Sequence, residues 1–224
     1  MISRYLDYGR PGSLRRKLRL RRLQPLLGMI AEQYGLHGNV TIIDIGGTQD
    51  YWKLLPEQFL LQHNVDITIV NIPGSHNLAD HGMFRFVQMD GCDLSGFRDK
   101  SFHIAHSNSV IEHVGDWKRM RQFASELRRV ATAYFVQTPG FWFPVEPHCM
   151  TPFFHWLPKP WRISLVMNFN LGHWKRQYSV DKAVETVESA RLLDKRMVAE
   201  LFDDAVIATE RLLFLPKSYI AIRK

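Results

Sequence analysis

Between residues 40 and 138 the chain repeats one pattern, in which a short apolar run is followed by a helical or irregular stretch. The apolar runs fall at 40–45 (VTIIDI), 66–72, 84–89, 101–107 and 132–138. The clearest helix between them is 116–130, DWKRMRQFASELRRV, whose apolar positions 117, 120, 123, 124, 127 and 130 keep a helical period. Short buried strands alternating with helices predict a parallel sheet with right-handed crossovers. That requirement narrows the fold to an open, doubly wound α/β sheet.

The flanks depart from the pattern. Residues 13–35 read as a helix with leucines at 14, 18, 23, 26 and 27, which Pro25 is expected to kink or divide and GLHGN to end. Residues 139–178 carry six prolines and the tryptophans 142, 156, 161 and 174, so no regular element is expected there. This stretch is too apolar for a disordered linker and reads as an insertion folded over the sheet. A single helix is expected over 182–203, then strands near 206–213 and 217–223 with LPKS as the hairpin turn. The expectation is therefore a seven-stranded, mostly parallel sheet closed by an antiparallel C-terminal hairpin. Residues 1–37 form a basic helical arm and residues 38–224 the main domain, with 139–178 as an aromatic lid.

Charge separates the arm from the rest. Residues 1–22 contain eight Lys or Arg against Asp7 alone, a net +7 that equals the net charge of all 224 residues. The remainder is neutral, so a nucleic-acid partner is not expected. The arm, residues 13–23 above all, could touch an anionic membrane surface or lie as a solvated helix face. No apolar run reaches the roughly 18 residues of a membrane span. With two cysteines and no apolar leader, a cytoplasmic, at most membrane-peripheral, location is the expectation.

In an open parallel sheet, ligands sit at the carboxyl ends of the strands where strand order reverses. The first strand ends at Asp44, Ile45, Gly46 and Gly47, and glycine there permits a sharp turn and close approach. Thr48, Gln49 and Asp50 follow, without the spaced third glycine of a dinucleotide fingerprint. The loop suits a ligand that has no pyrophosphate.

With these residues in place the chain resembles the class I S-adenosylmethionine-dependent methyltransferases, from about residue 38 to the C-terminus. Within them it is similar to the small-molecule, ubiquinone-biosynthesis-like domains. The resemblance implies a Rossmann-like fold, S-adenosylmethionine as cofactor, and a set of cofactor-binding positions. Asp44, Gly46, Gly47 and Thr48 form the first turn, and Asn71 stands at the ribose position, where an acidic residue is usual. Asp90, Gly91 and Cys92 lie near the adenine, and Ser107 and Asn108 line the fourth-strand exit toward the methyl group. ERLLFLPKSYIAIRK is similar to the family's closing hairpin.

The catalytic candidates are His113 in VIEHV and His148 in the insertion. His113 either takes a proton from the attacking atom or orders its loop, and Glu112 presents the same choice. Glu146, His148 and His155 stand among Phe141, Trp142, Phe153, Phe154 and Trp156, an array that either walls the acceptor or forms the insertion's own core. His148, Cys149, His155 and His173 show no recognisable zinc spacing, so no metal is expected. The expected reaction is methyl transfer to oxygen or nitrogen of a small-molecule, glycan or lipid-linked acceptor. The alternatives are a methyltransferase-like binding protein without turnover and a nicotinamide-dependent oxidoreductase.

Overall fold

In a computed structural model of the chain, which describes residues 14–74 and 79–224, helices and strands alternate much as the pattern requires. Helices α1 (Leu14–His37), α2 (Gln49–Trp52), α3 (Glu57–Gln62), α4 (Trp117–Val130), α5 (Lys159–Asn168), α6 (Val180–Glu188) and α7 (Lys195–Leu201) accompany seven strands. These are β1 (Val40–Ile45), β2 (Val65–Asn71), β3 (Phe84–Gln88), β4 (Phe102–Asn108), β5 (Ala131–Pro139), β6 (Val206–Leu212) and β7 (Leu215–Arg223). Their order in the sheet is β3-β2-β1-β4-β5-β7-β6, with the antiparallel hairpin at its C-terminal end. The chain divides into two compact units, one of residues 1–108, 122–136 and 222–224, the other of 109–121 and 137–221.

The first unit holds β1 between β2 and β4, all parallel. Ile42, Ile43 and Ile45 are buried along β1, as expected for a parallel strand covered on both faces. Register does the positioning. Ile45 pairs with Val70, Asn71 with Gln88, and Asp44 with His106. The carboxyl ends of β1 to β4 therefore finish level, and the turns that follow them share one edge.

Pro25 does not divide the first helix, which runs unbroken through Gly35 to His37. Leu23, Leu26, Met29 and Ile30 are buried in its second half. Burying four such side chains, at about 1.5–3 kcal/mol each, outweighs the roughly 3 kcal/mol that an internal proline costs. The helix stops where Gly38, at φ +74°, donates its N–H to the Tyr34 carbonyl at 2.8 Å. Residue 13 and the side chains of 14–19, on which an anionic-surface contact of 13–23 largely depends, lie outside the described residues. No described helix is long and apolar enough to cross a membrane.

The loop after β3 is clamped by α4. Leu94 donates its N–H to Glu126 Oε2 at 2.7 Å, and Arg129 Nη2 donates to the Leu94 carbonyl at 2.9 Å. Arg129 Nη1 donates to the Phe97 carbonyl at 2.9 Å and to Asp99 Oδ1 at 2.8 Å, while its Nε donates to Glu126 Oε1 at 2.8 Å. This planar fork holds the segment that begins with Asp90.

In the second unit three expectations are corrected. The helix expected over 182–203 is two helices, because Ser179 caps α6 by accepting the Lys182 N–H and Asp194 caps α7 by accepting that of Met197. The insertion does hold a regular helix, α5, in which Pro160 sits in the first turn, where a missing N–H costs nothing. The hairpin turns at Leu213 and Phe214, with Leu213 at φ +57°, so Pro216 belongs to β7 and not to the turn. The insertion has its own small core of Cys149, Phe154 and Val166, closed by Ala183 and Val187 of α6.

Because Arg129 joins two carboxylates and two carbonyls, Arg129→Ala is expected to lower stability by about 1–2 kcal/mol through loss of these charge-assisted bonds, although the Leu94 carbonyl keeps the Phe97 N–H. Urea denaturation checks this. Arg129→Lys should recover less than half, since an ammonium cannot reproduce the fork.

Candidate active site

The strand-end turn is built on a buried carboxyl group. Asp44 is wholly buried; its Oδ2 accepts the Trp52 indole N–H at 2.7 Å, and its Oδ1 lies 2.6 Å from His106 Nδ1. His106 Nε2 in turn lies 3.2 Å from the Tyr51 hydroxyl. The carboxyl group curls beneath the turn so closely that a Cβ on Gly47 would sit 1.7 Å from Oδ2. Gly46, at φ +74°, donates its N–H to the Val70 carbonyl at 2.7 Å, tying the turn to β2. Thr48 then enters α2 in extended conformation, its carbonyl accepting the Tyr51 N–H at 3.0 Å.

The other positions expected from the sequence to bind cofactor gather on the same edge, all within the first unit. Asn71 donates from Nδ2 to the Gly47 carbonyl at 3.0 Å, which directs its Oδ1 away from that bond. Asp90 accepts the Cys92 N–H on Oδ1 at 2.9 Å, forming a tight turn after β3. Gly91 packs against Ile45 and Phe123, where a Cβ would come within 2.7 Å and 2.9 Å of their side chains. Ser107 is buried and donates to the Ile45 carbonyl at 3.0 Å, and Asn108 ends β4. Asp44 and Ser107 hold the edge together from beneath, while Gly46, Asn71 and Asp90 are only partly buried.

The second unit contains the catalytic candidates. His113 lies on a single 3-10 turn, Ile111–His113, with Nδ1 2.7 Å from the Ser189 carbonyl oxygen. Its Nε2 is 3.1 Å from Nε2 of His148, and the two rings meet edge to face. Nδ1 of His148 lies 2.6 Å from Glu146 Oε1, and the second Glu146 oxygen accepts the N–H groups of His148 and Cys149, each at 2.7 Å. Burial opposes ionisation of Glu146, but the bonds to His148 and Cys149 prevail and hold its carboxyl below the usual range. Burial likewise lowers His148, yet the Glu146 hydrogen bond and charge leave it above an ordinary histidine.

Glu112 lies beside them, 1% exposed. Its Oε2 accepts from the Thr138 hydroxyl at 2.9 Å, and its Oε1 is buried without a hydrogen-bond partner. Burial pushes this carboxyl up, opposed chiefly by His113. His155 stands apart, with Nε2 2.8 Å from the Phe141 carbonyl oxygen, and burial lowers its pKa. Cys149 is buried, its thiol pushed up to about 11 by burial. Trp142, Phe153 and Trp156 remain 55%, 54% and 40% exposed, so the insertion has both an apolar core and an aromatic surface.

Two contacts escaped sequence reasoning. The Asp44–His106 pair joins residues 62 apart and follows only from the β1–β4 register. The meeting of His113 with His148, 35 residues apart, depends on an irregular segment that has no periodicity to read.

Residues 32–133 match a family model described as a methyltransferase domain. A SAM-dependent methyltransferase from Archaeoglobus fulgidus is 13% identical over 100% of each chain, with a TM-score of 0.57. A protein from Pyrococcus horikoshii is 16% identical over 96% of this chain and 93% of its own, with a TM-score of 0.51. An O-methyltransferase family protein from Burkholderia thailandensis is 15% identical over 93% of this chain and 58% of its own, with a TM-score of 0.48. At such identities the likeness is one of fold. No curated protein matches the chain. The family match marks a methyltransferase domain over residues 32–133, and the seven-stranded sheet with its antiparallel C-terminal hairpin has the fold of a SAM-dependent methyltransferase.

The Gly47 contact yields a direct test. Gly47→Ala is expected to cost about 1–3 kcal/mol through overpacking against Asp44. It should also weaken S-adenosylhomocysteine binding several-fold. Denaturant titration and calorimetry check the two effects separately.

Proposed function

We propose that this protein transfers the sulfonium methyl group of S-adenosylmethionine to oxygen or nitrogen of a small-molecule, glycan or lipid-linked acceptor. The observation that carries the reading is the level edge formed by Gly46, Asn71 and Asp90, whose backbone turns are fixed by hydrogen bonds. The Asn71 carbonyl oxygen suits a ribose diol, and the Asp90 carboxylate suits an adenine amino group. The turn supports this reading, since Gly46 and Gly47 each meet a geometric demand that a larger residue would not. That supports a working cofactor loop; a methyltransferase-like protein that binds its ligand without turnover would keep the same loop and is separated by the turnover measurements below.

The sulfonium is an activated donor, so the protein's task is alignment and exclusion of water. Each catalytic candidate has its Nδ1 engaged, so Nε2, which here faces the other ring's Nε2 at 3.1 Å, is the nitrogen left to take a proton. These nitrogens serve the acceptor side of the reaction. The exposed Trp142, Phe153 and Trp156 offer flat apolar faces of the kind that stack on sugar or aromatic rings.

S-adenosylhomocysteine is expected to raise the melting temperature, with about 2.7 kcal/mol of stabilisation at 100 times Kd, and NAD to leave it unchanged. Asp90→Ala should lose at least several-fold in affinity, corresponding to the roughly 1.5–3 kcal/mol of a charge-assisted bond. His113→Ala and His148→Ala should keep that affinity within about twofold while losing on the order of 100-fold in turnover against hydroxyl- and amine-bearing acceptors. A rise with NAD alone would assign the edge to an oxidoreductase. Loss of cofactor affinity in the histidine variants would place them in the cofactor pocket instead.

A further inference from the structure

Glu112, His113 and His148 converge in a way that their own hydrogen bonds make costly. The Ser189 carbonyl accepts only, and so does an ionised Glu146, so each faces a ring N–H: Nδ1 of His113 and Nδ1 of His148 respectively. In a neutral imidazole that fixes Nε2 as the lone-pair nitrogen. Two such nitrogens point at one another across 3.1 Å. A carboxylate oxygen of Glu112 lies within 4.8 Å of a ligand nitrogen of each ring, and Oε1 of that carboxyl group is buried without a hydrogen-bond partner. Two opposed lone pairs and a buried, unsatisfied carboxylate oxygen all call for positive charge at one point.

We propose that Glu112, His113 and His148 bind a divalent transition-metal ion, with zinc as the best fit. One ligand atom from each residue lies within 4.8 Å of the others. Ligands about 2.0–2.2 Å from a tetrahedral ion stand about 3.3–3.5 Å apart. The nitrogen pair at 3.1 Å is already near that spacing, and the carboxylate needs only a small side-chain movement. Two histidines and one carboxylate make the donor set of three-ligand catalytic zinc sites, which keep a further position for an oxygen ligand. The supporting shell is in place: Glu146 and the Ser189 carbonyl orient the two rings, and Thr138 holds the second Glu112 oxygen. Burial disfavours the charged form of Glu112, and a bound cation reverses that preference. The partly open side of the cluster, where His113 is exposed, is where an acceptor hydroxyl would complete the coordination and become easier to deprotonate. That last role rests on the methyl-transfer reading above, whereas the metal site stands on the cluster alone.

The test uses the full chain without an affinity tag, stripped with chelator and titrated with zinc by calorimetry near neutral pH. One zinc per chain is expected, with His113→Ala and His148→Ala each losing at least 100-fold in affinity. Glu146→Gln, which weakens the orienting shell without removing a ligand, should lose about 10- to 100-fold. S-adenosylhomocysteine binding, measured on the same stripped samples, reports folding and the cofactor edge independently. Because His113 is exposed, its variant is the safer one should His148→Ala fail to fold. Absence of stoichiometric zinc binding by the wild type overturns the proposal and leaves a proton shared between the two rings. So does binding unchanged by His113→Ala. Neither result touches the cofactor reading, which falls only if S-adenosylhomocysteine also fails to bind.

Discussion

A carboxyl group with no exposure to water governs the first unit. Asp44 ends the central strand, and burying it without donors would cost several kcal/mol. The indole of Trp52 and the imidazole of His106 remove that penalty by presenting hydrogen-bond partners from α2 and β4. The same bonds fix how α2 leaves the turn and keep β4 in register with β1. Gly47 has to be glycine because the carboxyl group occupies the space its side chain would need. The strand edge proposed to face the cofactor is thus shaped by a polar contact beneath it.

The second unit uses buried carboxylates differently. Glu146 is fully engaged, by one ring and two backbone amides, and so acts as a fixed anchor for His148. Glu112 is bonded through one oxygen only, and its other oxygen remains buried and unsatisfied. Native proteins seldom tolerate such a group without a functional reason. The contrast between an anchored and an unsatisfied carboxylate beside a histidine pair is the ground for proposing chemistry at this cluster.

How much of this could be read from the chain follows the range of the forces involved. The parallel strands were visible because burial on both faces writes itself into continuous apolar runs such as VTIIDI. Gly46, Asn71 and Asp90 could be expected on one edge because each ends or closely follows a strand, and strand ends in such a sheet share one edge. The break between α6 and α7 escaped because Ser179 and Asp194 act as caps only in their folded setting. The helix over 159–168 was hidden among prolines that usually end helices, although Pro160 is tolerated in a first turn. The Glu112, His113 and His148 cluster had no spacing to betray it, since its members meet through an irregular insertion.

The central claim is that the edge formed by Gly46, Asn71 and Asp90 is the seat of the methyl donor. A crystal structure of the protein with S-adenosylhomocysteine tests it most directly. The account predicts the ribose hydroxyls within hydrogen-bond distance of the Asn71 side chain, the adenine amino group beside Asp90, and the Gly46–Gly47 backbone against the homocysteine portion. Cofactor bound elsewhere, or bound with Asn71 and Asp90 both out of reach, would contradict it.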